Sequence, residues 1–280
     1  MKVISEIREI SNTLSRLKSS NNTIGLIPTM GALHKGHISL VEKSIAENDI
    51  TVVSIFVNPT QFDKQEDLTN YPITIEKDLE LLEKSGCDFV FTPKANEIYD
   101  NNISSQKFLF DGLEQQMEGK HRAGHFDGVG TIVKKFFLIT MPNIAYFGEK
   151  DFQQLQIIKK LVELEKLDIK IIGCPIHREE DGLAMSSRNT RLTDQQRKDA
   201  PFIYKTLKEA QNKIAKHSFT EINSWVSEQF KKHKTLNLEY FEIAEEDTLK
   251  TAIKRENNKK YRAFIAVFAD KIRLIDNISL

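Results

Sequence analysis

The sequence has no surplus of either charge. Forty lysines and arginines face forty aspartates and glutamates, for a formal net charge of zero. Without a basic excess there is no overall attraction to a polyanion, which excludes nucleic acid as the expected main partner. Long hydrophobic runs are also missing: no stretch approaches the ~20 apolar residues that span a bilayer. The opening MKVISEIREISNTLSRLKSS mixes charges into its apolar positions throughout, so neither a membrane span nor a leader is expected. Cysteine is nearly absent. Cys87 and Cys174 each adjoin an apolar run, CDFVF and KIIGC, which suits buried reduced thiols rather than a disulfide framework and implies a cytoplasmic location. No internal repeat or low-complexity segment interrupts the 280 residues, a length for one large domain or two of ordinary size.

What the sequence does have is an alternation of short apolar runs with helical periodicity. Val3, Ile7, Ile10, Leu14 and Leu17 predict that the chain opens with an amphipathic helix. TIGLIP and DITVVSIFVNP then read as strands buried on both faces, joined by a helix carrying Ile38, Val41 and Ile45. The pattern continues with strands in CDFVFTP, NIAYFG and LDIKIIGCPI and helices between them. Five strands alternating with helices predict an α/β fold, a doubly wound, Rossmann-like parallel sheet over residues 1–185. Residues 186–280 differ in texture: two long polar helices at about 194–215 and 218–233, strand-like LEYFEIA, and a closing hairpin turning at Ala269 to Lys271. These predict a smaller C-terminal α+β domain.

Ligands of such sheets bind beyond the carboxyl ends of the strands, which directs attention to the first βα turn, IPTMGALHKGHISLVEKS. Gly31 and Gly36 let backbone approach a ligand closely. The helix that starts here offers unpaired N–H groups and a positive dipole end, and His34, Lys35 and His37 add donors. That sum suits a phosphate. It matches neither G-x-x-x-x-G-K-[ST] nor G-x-G-x-x-G. Taken alone, His34 and His37 also fit an accidental surface pair or, less well, a metal pair; no third ligand at suitable spacing is evident. Three later stretches sit at strand ends in the same way. FVNPTQF brings the amides of Asn58 and Gln61, suited to hydroxyls and carboxylates. YFGEKDFQQL brings Gly148, Glu149, Lys150, Asp151 and Gln154, and REEDGLAMSSRNTRL brings Met185, two hydroxyls at Ser186 and Ser187, and the Arg188 guanidinium.

The His34-x-Gly36-His37 turn resembles the HIGH signature of the adenylate-transferring nucleotidyltransferase superfamily, and Met185-Ser-Ser-Arg188 resembles a degenerate KMSKS loop. Together with EGKHRAGHFDGV, these segments in this order resemble the pantothenate synthetase family over nearly the whole chain. The resemblance implies ATP-dependent condensation of pantoate with β-alanine through a pantoyl adenylate, with release of pyrophosphate and then AMP. It implies an ATP site lined by Met30, Gly31, Ala32, Leu33, His34, Lys35, Gly36 and His37, with Gly148, Glu149, Lys150 and Asp151 on ribose and phosphates. His177 would contact adenine through its main chain, and Met185, Ser186, Ser187 and Arg188 would lie along the triphosphate. His37, His34, Lys150 and Arg188 would carry the catalysis, and Gln61, Gln154, Asn58 and Arg122 would serve pantoate and β-alanine. Magnesium is expected with ATP; its ligands are unassigned, Asp78 being a candidate. A homodimer is expected by the same resemblance, with no nucleic-acid or membrane partner.

The chain departs from the family pattern at Ile73, where an arginine is usual, at Ala123, where a proline is usual, and at His177, where an apolar residue is usual. Another HIGH-motif nucleotidyltransferase and a non-catalytic nucleotide sensor are the alternatives. The second domain has no basic stripe of the kind a tRNA-binding domain needs. A hinge at MSSRN, closing over ATP, is expected.

Overall fold

The computed structural model describes residues 1–62, 65–100 and 102–280. Runs such as IGLIPT and ITVVSI are apolar without alternation because they form the centre of a six-stranded parallel sheet. In chain order the elements of this part are β1 (Lys2–Ile4), α1 (Ile7–Ser19), β2 (Ile24–Thr29), α2 (Lys35–Glu47), β3 (Ile50–Ile55), α3 (Gln65–Thr69) and α4 (Ile75–Lys84). There follow β4 (Phe89–Phe91), α5 (Ala95–Tyr99), α6 (Met117–His121), α7 (His125–Thr140), β5 (Ile144–Gly148), α8 (Phe152–Leu164) and β6 (Lys170–Cys174). The strand order is β1-β4-β3-β2-β5-β6, parallel throughout.

Five of these strands are the predicted ones; β1 is a correction. Residues 2–4 pair with β4 instead of opening the helix, and Val3 is exposed while Ile10 and Leu14 form the buried stripe of α1. From β2 the chain steps through β3 and β4 on one side and returns through β5 and β6 on the other. The order therefore reverses between β2 and β5, the kind of switch point at whose carboxyl ends such sheets take their ligands. Beneath it Ile27, Val41, Val53, Leu82, Val90 and Tyr146 are fully buried in one cluster. Each such side chain contributes about 1.5–3 kcal/mol relative to exposure.

The chain divides by its contacts into two units. The first comprises Met1–Glu114, Gly119–Glu149 and Gln154–Pro175; the second comprises Gln115–Glu118, Lys150–Gln153 and Ile176–Leu280. The second unit carries an antiparallel sheet of β7 (Asn237–Glu245), β8 (Tyr261–Ala269) and β9 (Ile272–Ser279), with β8 central and buried almost throughout. Its helices are α9 (Asp194–Asp199), α10 (Phe202–Lys213) and α11 (Phe219–Lys231). The predicted single helix at 194–215 is thus two, divided at Ala200-Pro201, because proline lacks the N–H a helix interior needs and is accommodated at a helix start. Ser218 and Glu221 cap α11 reciprocally, and Leu207 and Val226 pack with Ile243 and Ile265 in the unit's core.

Two short stretches are tied into this unit by charge. Arg273 of β9 makes two bonds to the Glu118 carboxylate, at 2.6 and 2.7 Å, and the Tyr240 hydroxyl donates to the same carboxylate. The Gln153 side chain accepts from the Glu118 N–H and donates to the Gln116 carbonyl. The Arg262 guanidinium lies 4.0 Å over the Phe152 ring.

Both cysteines are free and buried, and burial pushes the Cys87 thiol up to about 12 and the Cys174 thiol up to about 11. Among the described residues no helix is long and apolar enough to cross a membrane.

Candidate active site

The turn after β2 is built around two histidines. His34 has extended backbone and caps α2, its Nδ1 accepting from the Gly36 N–H at 3.2 Å. His37, one turn on, accepts the His34 N–H on its own Nδ1 at 3.3 Å, and the two rings lie 4.0 Å apart between centroids. Imidazole here stands where serine, aspartate or glutamate commonly cap a helix. The arrangement fixes the tautomer: with Nδ1 accepting in both rings, the proton of each neutral imidazole resides on Nε2, which becomes a donor. Lys35 is exposed beside them, and Met30, Gly31, Ala32 and Leu33 form the approach. Gly31 (φ 81°) and Ala32 (φ 50°) are both left-handed, so the chain turns sharply between strand and helix.

This turn is held from α4. Asp78 accepts from the Ala32 N–H at 2.9 Å and the Leu33 N–H at 2.8 Å, and Thr74 donates to the same carboxylate at 3.0 Å. Thr29 completes the frame, its hydroxyl donating to the Ser54 carbonyl and accepting from the Gly31 N–H. Three acceptor positions of Asp78 are thereby occupied by protein. The candidacy of Asp78 as a magnesium ligand is not what the geometry favours, and among the described residues no three His, Cys, Asp or Glu side chains group as a metal site. Among the described residues Asp78, with its acceptor positions taken by the turn, does not fit a carboxylate ligand for magnesium.

Beyond β3, Asn58 is 1% exposed and fully engaged by protein. Its amide nitrogen donates to Gln61 Oε1 and the Gly128 carbonyl, and its oxygen accepts from the Tyr99 and Thr60 hydroxyls. Gln61 is held on three sides. Oε1 takes the Asn58 bond, the carbonyl accepts from His125 Nδ1 at 2.8 Å, and Nε2 donates to the thioether of Met30 at 3.0 Å. Sulfur is a weak acceptor, so that N–H is readily drawn to a better one. Arg122 donates to His125 Nε2 at 3.0 Å, which obliges His125 to carry its proton on Nδ1 and donate to Gln61. The Arg122-Ala-Gly124 turn closes on itself through the His125 N–H to the Arg122 carbonyl, with Gly124 left-handed at φ 76°. Ile73 is 80% exposed. Gln154 is half-buried in the first turn of α8, following Gly148 at the end of β5.

The second unit holds the other predicted residues. Lys150 and Asp151 lie in a short 3-10 turn with Glu149; the Lys150 ammonium is 3.8 Å from the Asp151 carboxylate, and its carbonyl accepts from Asn277 of β9. His177 and Met185 are brought together by a small hairpin, the Met185 N–H donating to the His177 carbonyl, with Gly182 at its tip. The hairpin is braced by Arg178, which bonds Asp276 twice, at 2.6 and 2.9 Å, and lies 3.7 Å over the Tyr204 ring. Ser186 caps the 3-10 helix Ser187–Arg191 by accepting the Arg188 N–H. Sequence reasoning missed Tyr99, His125 and Asn277, which reach the predicted residues only through the fold. Of these, His125 alone had a signal, a histidine within the quoted HRAGHFDG stretch.

Comparison with known proteins follows the same lines. A family profile described as Pantoate-beta-alanine ligase matches residues 2–279. The chain is 54% identical to the pantothenate synthetase of Christiangramia forsetii, over 100% of this chain and 99% of that protein. It is 53% identical to that of Flavobacterium psychrophilum over 97% of each. Among solved structures it superposes on the pantothenate synthetase of Thermus thermophilus with a TM-score of 0.92 and 36% identity, over 99% of each chain. The pantoate-beta-alanine ligase of Francisella tularensis, solved with beta-gamma ATP and β-alanine, gives 0.81 and 36% over 100% of this chain and 97% of that one.

Proposed function

The chain belongs to the pantoate-beta-alanine ligase family, and we propose that the histidine-capped turn is the phosphate-handling corner of an ATP-dependent ligase. The enzyme condenses pantoate with β-alanine to pantothenate. The carboxylate of pantoate, with a pKa near ~4, is ionised at neutral pH, so its attack on the α-phosphate needs no general base. The protein's task is to align the reactants and stabilise the charge that moves to pyrophosphate. The β-alanine amine then attacks the pantoyl adenylate and AMP leaves.

The observation that carries this reading is the paired cap. Because both Nδ1 atoms serve the backbone, His34 and His37 offer Nε2–H donors whose orientation is set before ATP arrives. His37 would donate to the departing phosphates and Lys150 would meet the α-phosphate. Ser186, Ser187 and Arg188 would hold the triphosphate, with His177 and Met185 toward adenine. Gln61 and Gln154 would take the pantoate hydroxyls and carboxylate, Gln61 giving up its bond to the Met30 sulfur. Asn58 and Arg122 would act on that pocket through Gln61, which both of them bond. Any magnesium would arrive on the nucleotide, and no step here is assigned to it.

A homodimer and a cytoplasmic setting belong to the same proposal. Leu109 and Leu138 on the first unit, 81% and 57% exposed, are apolar positions a second copy would cover, and the two free thiols suit a reducing compartment. Light scattering on the purified protein tests the dimer. The test of the chemistry is pyrophosphate–ATP exchange with and without pantoate, followed by AMP release on addition of β-alanine. Exchange independent of pantoate would refute the ligase reading and favour another nucleotidyltransferase.

A further inference from the structure

Asp78 is 1% exposed, and among the described residues no cation pairs with it. An ionised carboxylate so placed is costly unless hydrogen bonds replace its hydration. Here they do, and they come from consecutive backbone amides of one tight turn, Ala32 N–H to one oxygen and Leu33 N–H to the other. Thr74, four residues earlier on the chain, donates to the oxygen that Leu33 also reaches and so aims the carboxylate at the turn. Two successive N–H groups following a left-handed residue form a concave anion cradle of the kind that commonly receives a phosphate. In this chain the protein's own carboxylate occupies it.

The cradle exists only because the turn is strained. Ala32 holds a left-handed conformation (φ 50°) in which its Cβ crowds the backbone, so an alanine adopts it only at a cost. Gly31 precedes it at φ 81°, and a Cβ there would come within 3.0 Å of Asp78 Oδ2 and 3.1 Å of Ile55 Cγ2. Glycine at 31 therefore serves both the backbone conformation and the approach of the carboxylate. The residue after Leu33 is His34, whose extended backbone lets its Nδ1 reach Gly36 and its N–H reach His37. The chain of contacts runs from Asp78 to the 32–33 amides to the histidine cap.

We infer that Asp78 is a positioning residue for pantoate activation, anchoring the left-handed turn that orients His34 and His37, and that it serves in place of, not as, a magnesium ligand. This rests on the ligase reading for its kinetic consequence, though not for its structural one. Asparagine at 78 keeps the shape but has one oxygen for two amides, so one backbone N–H would face an NH2 group and the turn would shift. A displacement of about 1 Å at the donors is enough to lower a rate about a hundred-fold.

The test compares the parent enzyme with Asp78→Asn and Thr74→Val. Asp78→Asn is expected to lower kcat of pantoate-dependent exchange about ten- to a hundred-fold, with KM for ATP and pantoate within about threefold of the parent. The magnesium concentration giving half-maximal rate should not move. By NMR, the Ala32 and Leu33 amide protons should shift upfield and exchange faster with solvent, and the imidazole resonances of His34 and His37 should move with them. Thr74→Val should give the same changes in smaller measure, and it carries the test if Asp78→Asn does not fold. Unchanged kcat with unmoved amide resonances would overturn the inference. So would a loss recovered by excess magnesium, which would make Asp78 a metal ligand. Were the parent's exchange to prove independent of pantoate, the ligase reading would fall while the amide resonances still decided the anchor.

Discussion

Replacing His37 separates two roles of one ring, the helix cap seen at Nδ1 and the phosphate donor proposed at Nε2. Nδ1 accepts the His34 N–H and so helps cap α2; Nε2 is the donor assigned to the phosphates. Losing a cap costs about 1 kcal/mol, a Tm decrease of about 2–4 °C for a chain of this size class. Losing a donor aimed at developing charge costs about 2.7–4 kcal/mol of barrier, on the order of 10²–10³ in rate. Asparagine places an oxygen on Cγ where Nδ1 stood and has nothing at the Nε2 position. His37→Asn is therefore expected to keep the parent Tm and lose exchange activity by about 10²–10³. Glutamine reaches the Nε2 position with an amide N–H and loses the short cap, so His37→Gln should melt about 2–4 °C lower and keep more of the rate than His37→Asn. Pantoate-dependent exchange and calorimetry on both variants give the comparison. A His37→Asn enzyme with parental kcat and raised KM for ATP would refute the division, reducing His37 to a ground-state contact.

The remaining predictions address the pocket, the thiols and the core. Gln61→Leu removes both amide functions from the proposed pantoate pocket and should lower kcat/KM for pantoate by about 1–3 kcal/mol, roughly ten- to a hundred-fold, with KM for ATP unchanged in steady-state assays. At about pH 8 both thiols should resist a disulfide reagent until the protein unfolds. Because burial raises Cys87 to about 12 and Cys174 to about 11, their contribution to stability is complete below the unfolded value near ~9 and declines as pH rises towards the folded values. Melting temperature should therefore fall with pH across that alkaline window, and less steeply in a Cys87→Ala, Cys174→Ala double variant. Leu207, fully buried among α10, α11 and the second sheet, should cost about 2–5 kcal/mol as Leu207→Ala in chemical denaturation.

The parallel sheet was legible because burial on both faces leaves a compositional mark: IGLIPT and ITVVSI could hardly be surface strands. β1 left no such mark. It is a three-residue edge strand with two exposed positions, and its one buried residue, Ile4, blends into the helical stripe that follows. The break in the 194–215 helix was legible in principle, since Pro201 sits in the middle of it. The candidate site divides similarly. His34, His37, Gln61 and Ser186 stand at strand or helix ends, where local sequence and geometry coincide. Asp78, Tyr99, His125 and Asn277 act on the site from distant positions on other elements, and a single sequence carries no register between a βα turn and a remote helix. Asp78 in IEKDLELLEK could be named from the sequence only as a magnesium candidate, since its part as acceptor for the 32–33 amides depends on the fold; Glu76, Lys77 and Glu80 beside it are exposed, whereas Asp78 is buried.

The stretches 115–118 and 150–153 also set an order of events. Both leave the ribosome long before β9, yet Glu118 waits for Arg273 and the Lys150 carbonyl waits for Asn277, both on that last strand. Nascent chains shorter than about 270 residues therefore hold a Glu118 carboxylate whose cation has not yet been made, with only Tyr240 to donate to it, and a Lys150 carbonyl whose donor is still missing. The second unit cannot be excised as a continuous fragment for the same reason: a piece spanning 176–280 would keep Arg262 and Arg273 but lack Phe152 and Glu118. Its two arginines would be left with half their surroundings, so a split-protein design should cut within the first unit's loops and leave both borrowed stretches joined to their sheet.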